Sequence, residues 1–316
     1  MPDLDSPQKS TTPEIAVFAP WPLFTITIEN LSGAGDEVYF HAGGQGVWVA
    51  RMVVGLGRDV TLVGPFGGEQ RFLIEAFALG EGLGLRPVPI KGANGGYVND
   101  RRGGERREIA NVAPPRLDRH EIDDLHNAML TESLRCGTAV ITGIPDGEVM
   151  PVDVYGRLAK DLKANGIITI ADVAGTVLDA IEDGLTLLKV SHEELREAGL
   201  AESDDLPSLA KAMEKLRGKA ESIVVSRAGA GCLALMNGKL MEAVGPRMAV
   251  NDPSGAGDSM TAALAVALSS GMSSVEALRL ATAAGALNVT RHGRGTGKLE
   301  DIEALARSVE INEVTP

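Results

Sequence analysis

Apolar runs alternate with amphipathic stretches along most of the second half of the chain. Short runs rich in β-branched residues have the length and composition of buried strands, and the stretches between them space their apolar residues as a helix does. The strand-like runs are TAVITG (138–143), IITIAD (167–172), LTLLKV (185–190) and SIVVS (222–226), and the helix-like stretches include residues 152–164, 191–198 and 206–216. Strands separated by helices of this length predict βαβ units.

The first half of the chain opens with more strands. The strand-like runs are residues 15–18, 24–28, 38–40 and 60–64. Residues 45–56 instead have helical spacing, and the segments 24–42 and 88–112 combine short strands with glycine-rich turns. We therefore predict an α/β fold, a doubly wound and mainly parallel sheet flanked by helices, with a small β-sheet lid within those two segments. Residues 14–310 should form this one domain, and the polar residues 1–13 a disordered arm.

Composition narrows the classes of function. The chain has 316 residues, 44% of them hydrophobic, and a formal net charge of −13, which disfavours nucleic acids and anionic membranes as partners. Its two cysteines, Cys136 and Cys232, have neither disulfide-framework nor metal-site spacing. The start of the chain lacks a signal-peptide pattern, and no run of about 18 apolar residues is free of charge or glycine. We therefore expect a cytoplasmic protein that acts on a small molecule.

The strongest chemical signal is NDPSGAGDSMTAALAVALSSG at residues 251–271. Small residues at 255–257 allow the backbone to approach a ligand closely, and an apolar helix follows at once, so free N–H groups should converge on an anion. Asp258 falls in the first turn of that helix, where a carboxylate either complements the helix dipole or accepts the proton of an attacking hydroxyl. The pattern predicts phosphoryl transfer, which depends mostly on positioning and charge neutralisation.

The segment DPSGAGD (252–258) resembles the DTxGAGD signature of the PfkB (ribokinase-like) carbohydrate kinases, with Pro253 where the family usually has threonine. The resemblance extends over nearly all of residues 15–305. Its other parts are AGGQGVWVARMVVGLG (42–57), VTLVGPFGGE (60–69), LLKVSHEEL (187–195), VVSRAGAGCLAL (224–235) and AAGALNVTRHGRGTG (283–297). The HAGG and RHGRGTG segments look most like the branch of 1-phosphofructokinases and tagatose-6-phosphate kinases.

The resemblance implies roles for individual residues. Gly255, Ala256 and Gly257 would form the anion hole, and Asp258 would be the catalytic base. Glu194 would act on Mg²⁺ through water, although an ordinary helix acid remains the alternative. The residues implied on the nucleotide side are Lys189, Glu194, Ser226, Ala228, Gly231, Asn288 and Gly293. ATP and Mg²⁺ are the implied cosubstrate and metal.

The substrate side departs from the family pattern. Leu23 stands near the usual aspartate, Gln45 and Trp48 replace the usual lysine and asparagine, and Ala110 stands where the sugar-phosphate branch often has asparagine. These changes remove about 1 to 3 kcal/mol of recognition for each lost hydrogen bond. The candidate substrate-binding residues are Leu23, Gly43, Gly44, Gln45, Trp48 and Arg107.

Two features of the substrate side keep alternatives open. The basic cluster Arg101, Arg102, Arg106 and Arg107 in the lid hairpin is either a replacement phosphate cation or a solvated turn. Trp48, like Trp21, is either a stacking platform or a packing residue.

The sequence therefore predicts an ATP-dependent phosphotransferase acting on an alcohol group of a sugar or sugar phosphate. The alternatives are a kinase for a nucleoside or another non-sugar-phosphate acceptor, and a nucleotide-binding regulatory protein without turnover. The resemblance also implies a homodimer that pairs through the lid.

Overall fold

The fold is built on a large, mainly parallel sheet. The structure is a computed structural model that describes residues 14–30, 35–104, 106–144, 149–291 and 293–315, so the predicted arm at residues 1–13 lies outside the described residues. The strands, in chain order, are β1 Ile15–Phe18, β2 Leu23–Glu29, β3 Glu37–Gly43, β4 Val60–Phe66, β5 Gly84–Pro89, β6 Gly96–Asp100, β7 Arg107–Val112, β8 Thr138–Thr142, β9 Ile168–Asp172, β10 Leu185–Ser191, β11 Ala220–Ser226, β12 Cys232–Met236, β13 Lys239–Val244 and β14 Glu310–Glu313. Ten of these described strands form the main sheet, in the order β14-β13-β12-β11-β10-β9-β8-β1-β4-β5.

Neighbouring strands from β11 through β10, β9, β8, β1 and β4 to β5 pair in parallel, whereas β12, β13 and β14 extend the sheet antiparallel. The predicted doubly wound α/β fold is therefore confirmed.

Helices cover both faces of this sheet. They are α1 Gln45–Gly55, α2 Gln70–Gly80, α3 Arg119–Cys136, α4 Asp153–Ala164, α5 Gly175–Ala180, α6 His192–Glu197, α7 Leu206–Leu216, α8 Ala256–Ser269, α9 Ser274–Asn288 and α10 Leu299–Ala306. Strand residues alternate between two apolar layers: Ile15 and Val17 pack with helices α1, α2, α8, α9 and α10, while Ala16 and Phe18 pack with α3 to α7. Helix α8 is buried along most of its length, which agrees with its almost continuous apolar sequence.

Four strands form a second, smaller sheet in the order β3-β2-β6-β7, which we call the lid. Strand β2 pairs in parallel with β6, and the two outer pairs are antiparallel. The sequence placed the second lid segment at 88–112, but Val88 and Pro89 belong to β5, which pairs with β4 in the main sheet. The lid part of that segment therefore begins at Gly96, because residues 84–89 form the edge strand of the main sheet, in which Val88 is buried.

The topology brings the functional segments to one edge of the main sheet. The carboxyl ends of parallel strands lie at the same edge, and ligands of open α/β sheets bind there. Strands β8, β9 and β10 end at this edge, and helices α1 and α8 begin close to it, as the contacts in the next subsection show. No described helix combines the length and apolar character that a membrane span requires.

Candidate active site

Helix α8 presents free backbone amides at its start. It begins at Ala256, and Gly255 before it has φ +83°, a left-handed conformation that glycine adopts without strain. Within the described residues, the N–H groups of Gly255 and Gly257 have no hydrogen-bond acceptor, and that of Ala256 lies 3.5 Å from the carbonyl oxygen of Pro253. These amides, residues 255–257, are the segment predicted to form the anion hole.

Asp258 lies in the first turn of α8 with its carboxylate in an unusual environment. Burial and the negative charge of Asp172 raise the pKa of Asp258 from 3.8 to about 7, against the attraction of Lys189 and a hydrogen bond with Gln45. A carboxyl group of this kind accepts a proton near neutral pH far better than an ordinary aspartate does.

Asp172 ends strand β9 and is a central residue that the sequence reasoning did not single out. Its side chain is 3% exposed, and both of its oxygens lie 3.2 Å from Nζ of Lys189. The hydroxyl of Thr261 in α8 donates to its Oδ2 at 2.7 Å. The signal was present in the sequence, because Asp172 closes the strand-like run IITIAD and such strand ends face the ligand site.

Lys189 carries a buried positive charge beside the backbone of Gly257. Burial alone lowers its pKa, but attraction to Asp172, Glu194 and Asp258 outweighs burial, so the pKa is raised and the ammonium group stays charged. A Cβ placed on Gly257 would lie only 2.6 Å from Nζ of Lys189. The glycine is therefore needed for the ammonium group to approach the backbone of the anion hole.

Gln45 begins helix α1 and connects the ends of two strands of the main sheet. Its Nε2 donates to the carbonyl oxygen of Asp172 at 3.3 Å, and its Oε1 accepts from the N–H of Gly143 at 2.9 Å. It also lies near enough to Asp258 to lower the pKa of that carboxyl. The Gln45 amide is therefore bound to protein groups, at the position where the family pattern has a phosphate-binding lysine.

The glycines before Gln45 allow close packing of the lid entry. Gly44 has φ +99°, and a Cβ there would lie 2.3 Å from the carbonyl oxygen of Trp21; a Cβ on Gly43 would lie 2.8 Å from Cγ2 of Thr25. Their role in this structure is to hold the start of α1 against the strand that enters the lid.

A cleft of about 680 Å³ lies between the lid and the carboxyl edge of the main sheet. Five of the residues assigned from the sequence line it: Leu23, Gly44, Gln45, Trp48 and Glu194. Two more lining residues, Trp21 and Arg106, were weighed from the sequence as a stacking residue and as part of the basic cluster. The sequence reasoning did not single out the other lining residues Tyr97, Asn99, Glu108, Gly143, Ile144, Asp172, Val173, Ala174, Gly175, Thr176, Val177, Glu197 and Arg294.

The four arginines of the lid hairpin do not behave alike. Arg107 does not line the cleft: its side chain is mostly exposed and lies 3.8 Å from Asp100, so Arg106, its neighbour in the chain, takes the place predicted for it. Arg102 pairs with Asp100 at 2.9 Å, and the guanidinium of Arg101 lies 3.3 Å from Asp252 in the loop before α8. Of the four arginines, only Arg106 lines this cleft.

Glu194 caps helix α6 and also lines the cleft. Its N–H donates to Oγ of Ser191 and its Oε2 accepts from the N–H of Ser191, which forms a capping box at the start of α6. The same carboxylate lines the cleft and lowers the energy of the charged Lys189. Among the described residues, no group of three or more His, Cys, Asp or Glu forms a metal cage.

The remaining nucleotide-side candidates lie at the ends of β11 and α9 and in the turns and loops that follow them. The Oγ of Ser226 at the end of β11 is 3.5 Å from the carbonyl oxygen of Val190. The turn that follows contains Ala228 with φ +46° and Gly231 with φ +82°, and a Cβ on Gly231 would lie 2.0 Å from the carbonyl oxygen of Ala243. This tight turn carries the chain from β11 into β12.

Asn288, at the end of α9, joins two loops. It is 1% exposed, donates from Nδ2 to the carbonyl oxygen of Ser254 at 2.9 Å, and accepts at Oδ1 from the N–H of Gly295 at 2.9 Å. Its amide is therefore used within the protein, and it holds the loop before α8 against the loop at 293–297. Gly293, with φ +96°, is exposed in that second loop.

Comparison with known proteins agrees with this architecture. The model of the pfkB family carbohydrate kinases matches residues 24–301. The ATP-dependent 6-phosphofructokinase isozyme 2 of Mycobacterium tuberculosis is 31% identical over 269 residues, 84% of this chain and 78% of its own length. The 1-phosphofructokinase of Vibrio cholerae is 28% identical over 87% of each chain. The structure of phosphofructokinase-2 from Escherichia coli in complex with potassium superposes with a TM-score of 0.83 at 22% identity, covering 94% of this chain and 99% of that one. The matched length, the ribokinase-like sheet and the DPSGAGD segment at the start of α8 together show that the chain belongs to the pfkB family of carbohydrate kinases.

Proposed function

We propose that this kinase transfers the γ-phosphate of ATP to an alcohol group of a sugar or sugar phosphate, with Asp258 as the base and the amides of residues 255–257 as the anion hole. One observation carries the proposal: a carboxyl group with a pKa of about 7 lies in the first turn of α8, directly after backbone amides that have no acceptor within the described residues. A base and an anion site in adjacent positions are what in-line transfer to a hydroxyl requires.

One group accepts the hydroxyl proton, and other groups offset the negative charge of the phosphoryl group that is transferred. The Asp258 carboxylate accepts the hydroxyl proton of the acceptor as its oxygen bonds to the γ-phosphorus and the bond to the leaving ADP oxygen breaks. The amides of residues 255–257 and the ammonium group of Lys189 offset the negative charge on the transferring group. Asp172 keeps Lys189 in place, and Gln45 orients the carboxyl of Asp258.

The same residues fit the phosphates of ATP with Mg²⁺. Glu194 lines the cleft beside Lys189 and would hold the ion through water. Mg²⁺ bound to ATP neutralises phosphate charge and orients the terminal phosphate. Ser226, Ala228, Gly231, Asn288 and Gly293 remain proposals for the nucleotide side.

The relatives support the acceptor class. They are named as 6-phosphofructokinase, tagatose-6-phosphate kinase and 1-phosphofructokinase, at 26–31% identity. We propose the same class for this chain because its cleft of about 680 Å³ has the volume for a sugar phosphate and is lined by polar and charged side chains, among them Asn99, Arg106 and Asp172.

We further propose that the lid pairs with a second copy of this chain, in the cytoplasm. Apolar lid side chains are unusually exposed: Val38 by 49%, Phe40 by 48% and Val112 by 58%. A second lid would cover them. Sedimentation at micromolar concentration tests this, and a monomer there contradicts it.

The decisive experiment is ADP release against a panel of sugars, sugar phosphates and nucleosides, with wild type and Asp258→Asn. We expect turnover with a sugar or sugar phosphate, and a loss of at least about a hundredfold in the variant. Preference for nucleosides would favour the alternative acceptor. Thermal stabilisation by ATP with Mg²⁺ but no ADP release with any acceptor would favour the regulatory protein without turnover.

A further inference from the structure

Thr261 carries a buried hydroxyl group one helical turn after Asp258. Residues 260–267 of α8 are all buried, and Thr261, which has no exposed surface, is the one polar side chain among them. A buried hydroxyl group needs a hydrogen-bond partner, because burial removes it from water. The partners of this hydroxyl therefore show what Thr261 contributes besides packing.

Two acceptors lie within reach of the Thr261 hydroxyl. Its Oγ1 is 3.0 Å from the carbonyl oxygen of Gly257, four residues earlier in the helix, and 2.7 Å from Oδ2 of Asp172 on strand β9. The first contact is the local one that threonine commonly makes within a helix. The hydroxyl has a single hydrogen, and the shorter contact to a charged oxygen is the stronger one, so the hydrogen goes to Asp172.

Asp172 is held through both its backbone and its side chain. Gln45 donates to its backbone carbonyl oxygen at 3.3 Å, whereas Thr261 and Lys189 bind its carboxylate. Asp172 and Lys189 are register partners on the parallel strands β9 and β10, so their side chains lie on the same face of the sheet, the one that α8 covers. Thr261 is therefore the residue through which α8 fixes the rotation of the Asp172 carboxylate.

The orientation of this carboxylate affects two groups of the candidate active site. Both oxygens of Asp172 are 3.2 Å from Nζ of Lys189, which closely approaches the backbone of Gly257. Burial and the charge of Asp172 together raise the pKa of Asp258. A carboxylate free to rotate would let the ammonium group move away from Gly257 and would change the electric field at Asp258.

These contacts form a closed ring that runs from the helix to the sheet and back. The Thr261 hydroxyl donates to Asp172, Asp172 binds Lys189, and Lys189 lies against Gly257 in the first turn of α8. Because Thr261 and Gly257 are four residues apart in one helix, the helix itself fixes the spacing between them. The position of the ammonium group relative to the backbone of residues 255–257 thus depends on a hydroxyl group that does not line the cleft of about 680 Å³.

We propose that Thr261 is a positioning residue for phosphoryl transfer, whose hydroxyl fixes the carboxylate of Asp172 so that Lys189 is held at the anion hole. The inference rests on the proposed function and adds to it a residue that acts through Asp172 and not on the reacting atoms. Valine has the branched shape of threonine without the hydroxyl, and serine keeps the hydroxyl without the methyl group. The two substitutions therefore separate the hydrogen bond from packing.

Steady-state kinetics of Thr261→Val and Thr261→Ser, with ATP, Mg²⁺ and the best acceptor of the panel above, test the proposal. We expect kcat to fall about tenfold in Thr261→Val with the KM of the acceptor unchanged, because the lost contact acts on the group being transferred. Thr261→Ser should stay within about threefold of wild type, because the hydrogen bond is retained. An unchanged kcat in Thr261→Val, or an equal loss in Thr261→Ser, overturns the inference.

Thr282→Val is the matched control. Thr282 is a buried threonine of the neighbouring helix α9, and its hydroxyl lies 3.6 Å from Sγ of Cys232. It should keep wild-type kinetics. A tenfold loss in this control as well would assign the effect in Thr261→Val to helix packing and overturn the inference.

A double-mutant cycle with Asp172→Asn shows whether the hydroxyl acts through that carboxylate. In the Asp172→Asn background, Thr261→Val should lower kcat less than about twofold. A full tenfold loss there would mean that the hydroxyl acts through the carbonyl of Gly257, which overturns the inference. If Asp172→Asn does not fold, the comparison of valine with serine at position 261 decides the question alone.

Calorimetric titration with ATP and Mg²⁺, without acceptor, separates this inference from the proposed function. Thr261→Val should weaken ATP binding about threefold when residue 172 is aspartate and leave it unchanged in the Asp172→Asn background. That pattern without ADP release from any acceptor would refute the proposed turnover and leave the positioning of Lys189 standing. Wild-type turnover together with unchanged kinetics and ATP affinity in Thr261→Val would support the proposed function and refute this inference.

Discussion

Asp258→Asn should stabilise the fold at alkaline pH while it lowers turnover at least about a hundredfold. The pKa of Asp258 is raised from 3.8 to about 7 in the folded protein, chiefly by burial and the charge of Asp172. A carboxyl group whose pKa is raised in the folded state does not lower the free energy of unfolding when the pH is below its pKa in the unfolded state. The cost grows between pH 4 and 7 and is complete above pH 7. That difference corresponds to up to about 4 kcal/mol, at about 1.4 kcal/mol for each tenfold change in proton affinity.

Asparagine keeps the shape but has no charge to bury. Since a chain of this length unfolds with an entropy near 0.7 kcal/mol per kelvin, we expect a melting temperature up to about 6 °C above wild type at pH 8 and a smaller gain at pH 5. Calorimetry across pH 5–8 measures this difference. Asp183→Asn is the control with opposite sign, because Lys163 lowers the pKa of that exposed carboxyl. A variant that melts at or below the wild-type temperature at pH 8 refutes the reasoning.

Four further predictions address three other contacts and the pH dependence of turnover. Lys189→Met leaves the carboxylate of Asp172 buried without its ion pair, so the free energy of unfolding should fall by about 3–5 kcal/mol in urea titrations, and an unchanged midpoint would contradict the ion-pair argument. Gly257→Ala places a Cβ 2.6 Å from Nζ of Lys189, so turnover should fall at least about tenfold. Circular dichroism should show an unchanged fold. Turnover at the wild-type rate would show that the position of the ammonium group does not matter. Arg101→Gln removes the link from the lid to Asp252 and should lower kcat/KM by about tenfold in steady-state kinetics, with equal activity arguing against coupling between lid and loop. Wild-type kcat/KM should also rise with pH through about 7, because Asp258 acts as a base only when ionised, and a flat profile from pH 6 to 8 would remove it from that role.

Local patterns in the sequence predicted most of the architecture. Periodicity identified the buried strands β8 to β11 because each is a short apolar run bounded by a helix. The same reasoning assigned Val88 to the lid, because a strand that pairs with β4 and a strand that pairs with β2 have similar local composition. Only tertiary pairing distinguishes the two sheets.

The sequence indicated the candidate residues that lie within one continuous segment. It did not indicate those whose place in the cleft depends on the direction of the side chain. Residues 255–258 are contiguous, so spacing alone indicated an anion site with a carboxylate. Arg106 and Arg107 are neighbours in sequence, yet only Arg106 turns toward Tyr97 and the cleft. Arg294 meets Trp48 across 246 positions of sequence, a distance that no local pattern spans.

The amide of Asn288 has a consequence for how preference for different substrates can change. By hydrogen bonding to both Ser254 and Gly295, it fixes the spacing of two loops, one that leads into the start of α8 and one that carries Arg294. A new acceptor can then be accommodated by exchanging side chains such as Arg294 or Trp48 on a frame whose backbone stays in register. Insertions or deletions in either loop would shift the backbone of both loops together. Point substitutions are therefore the route by which this enzyme can change its acceptor.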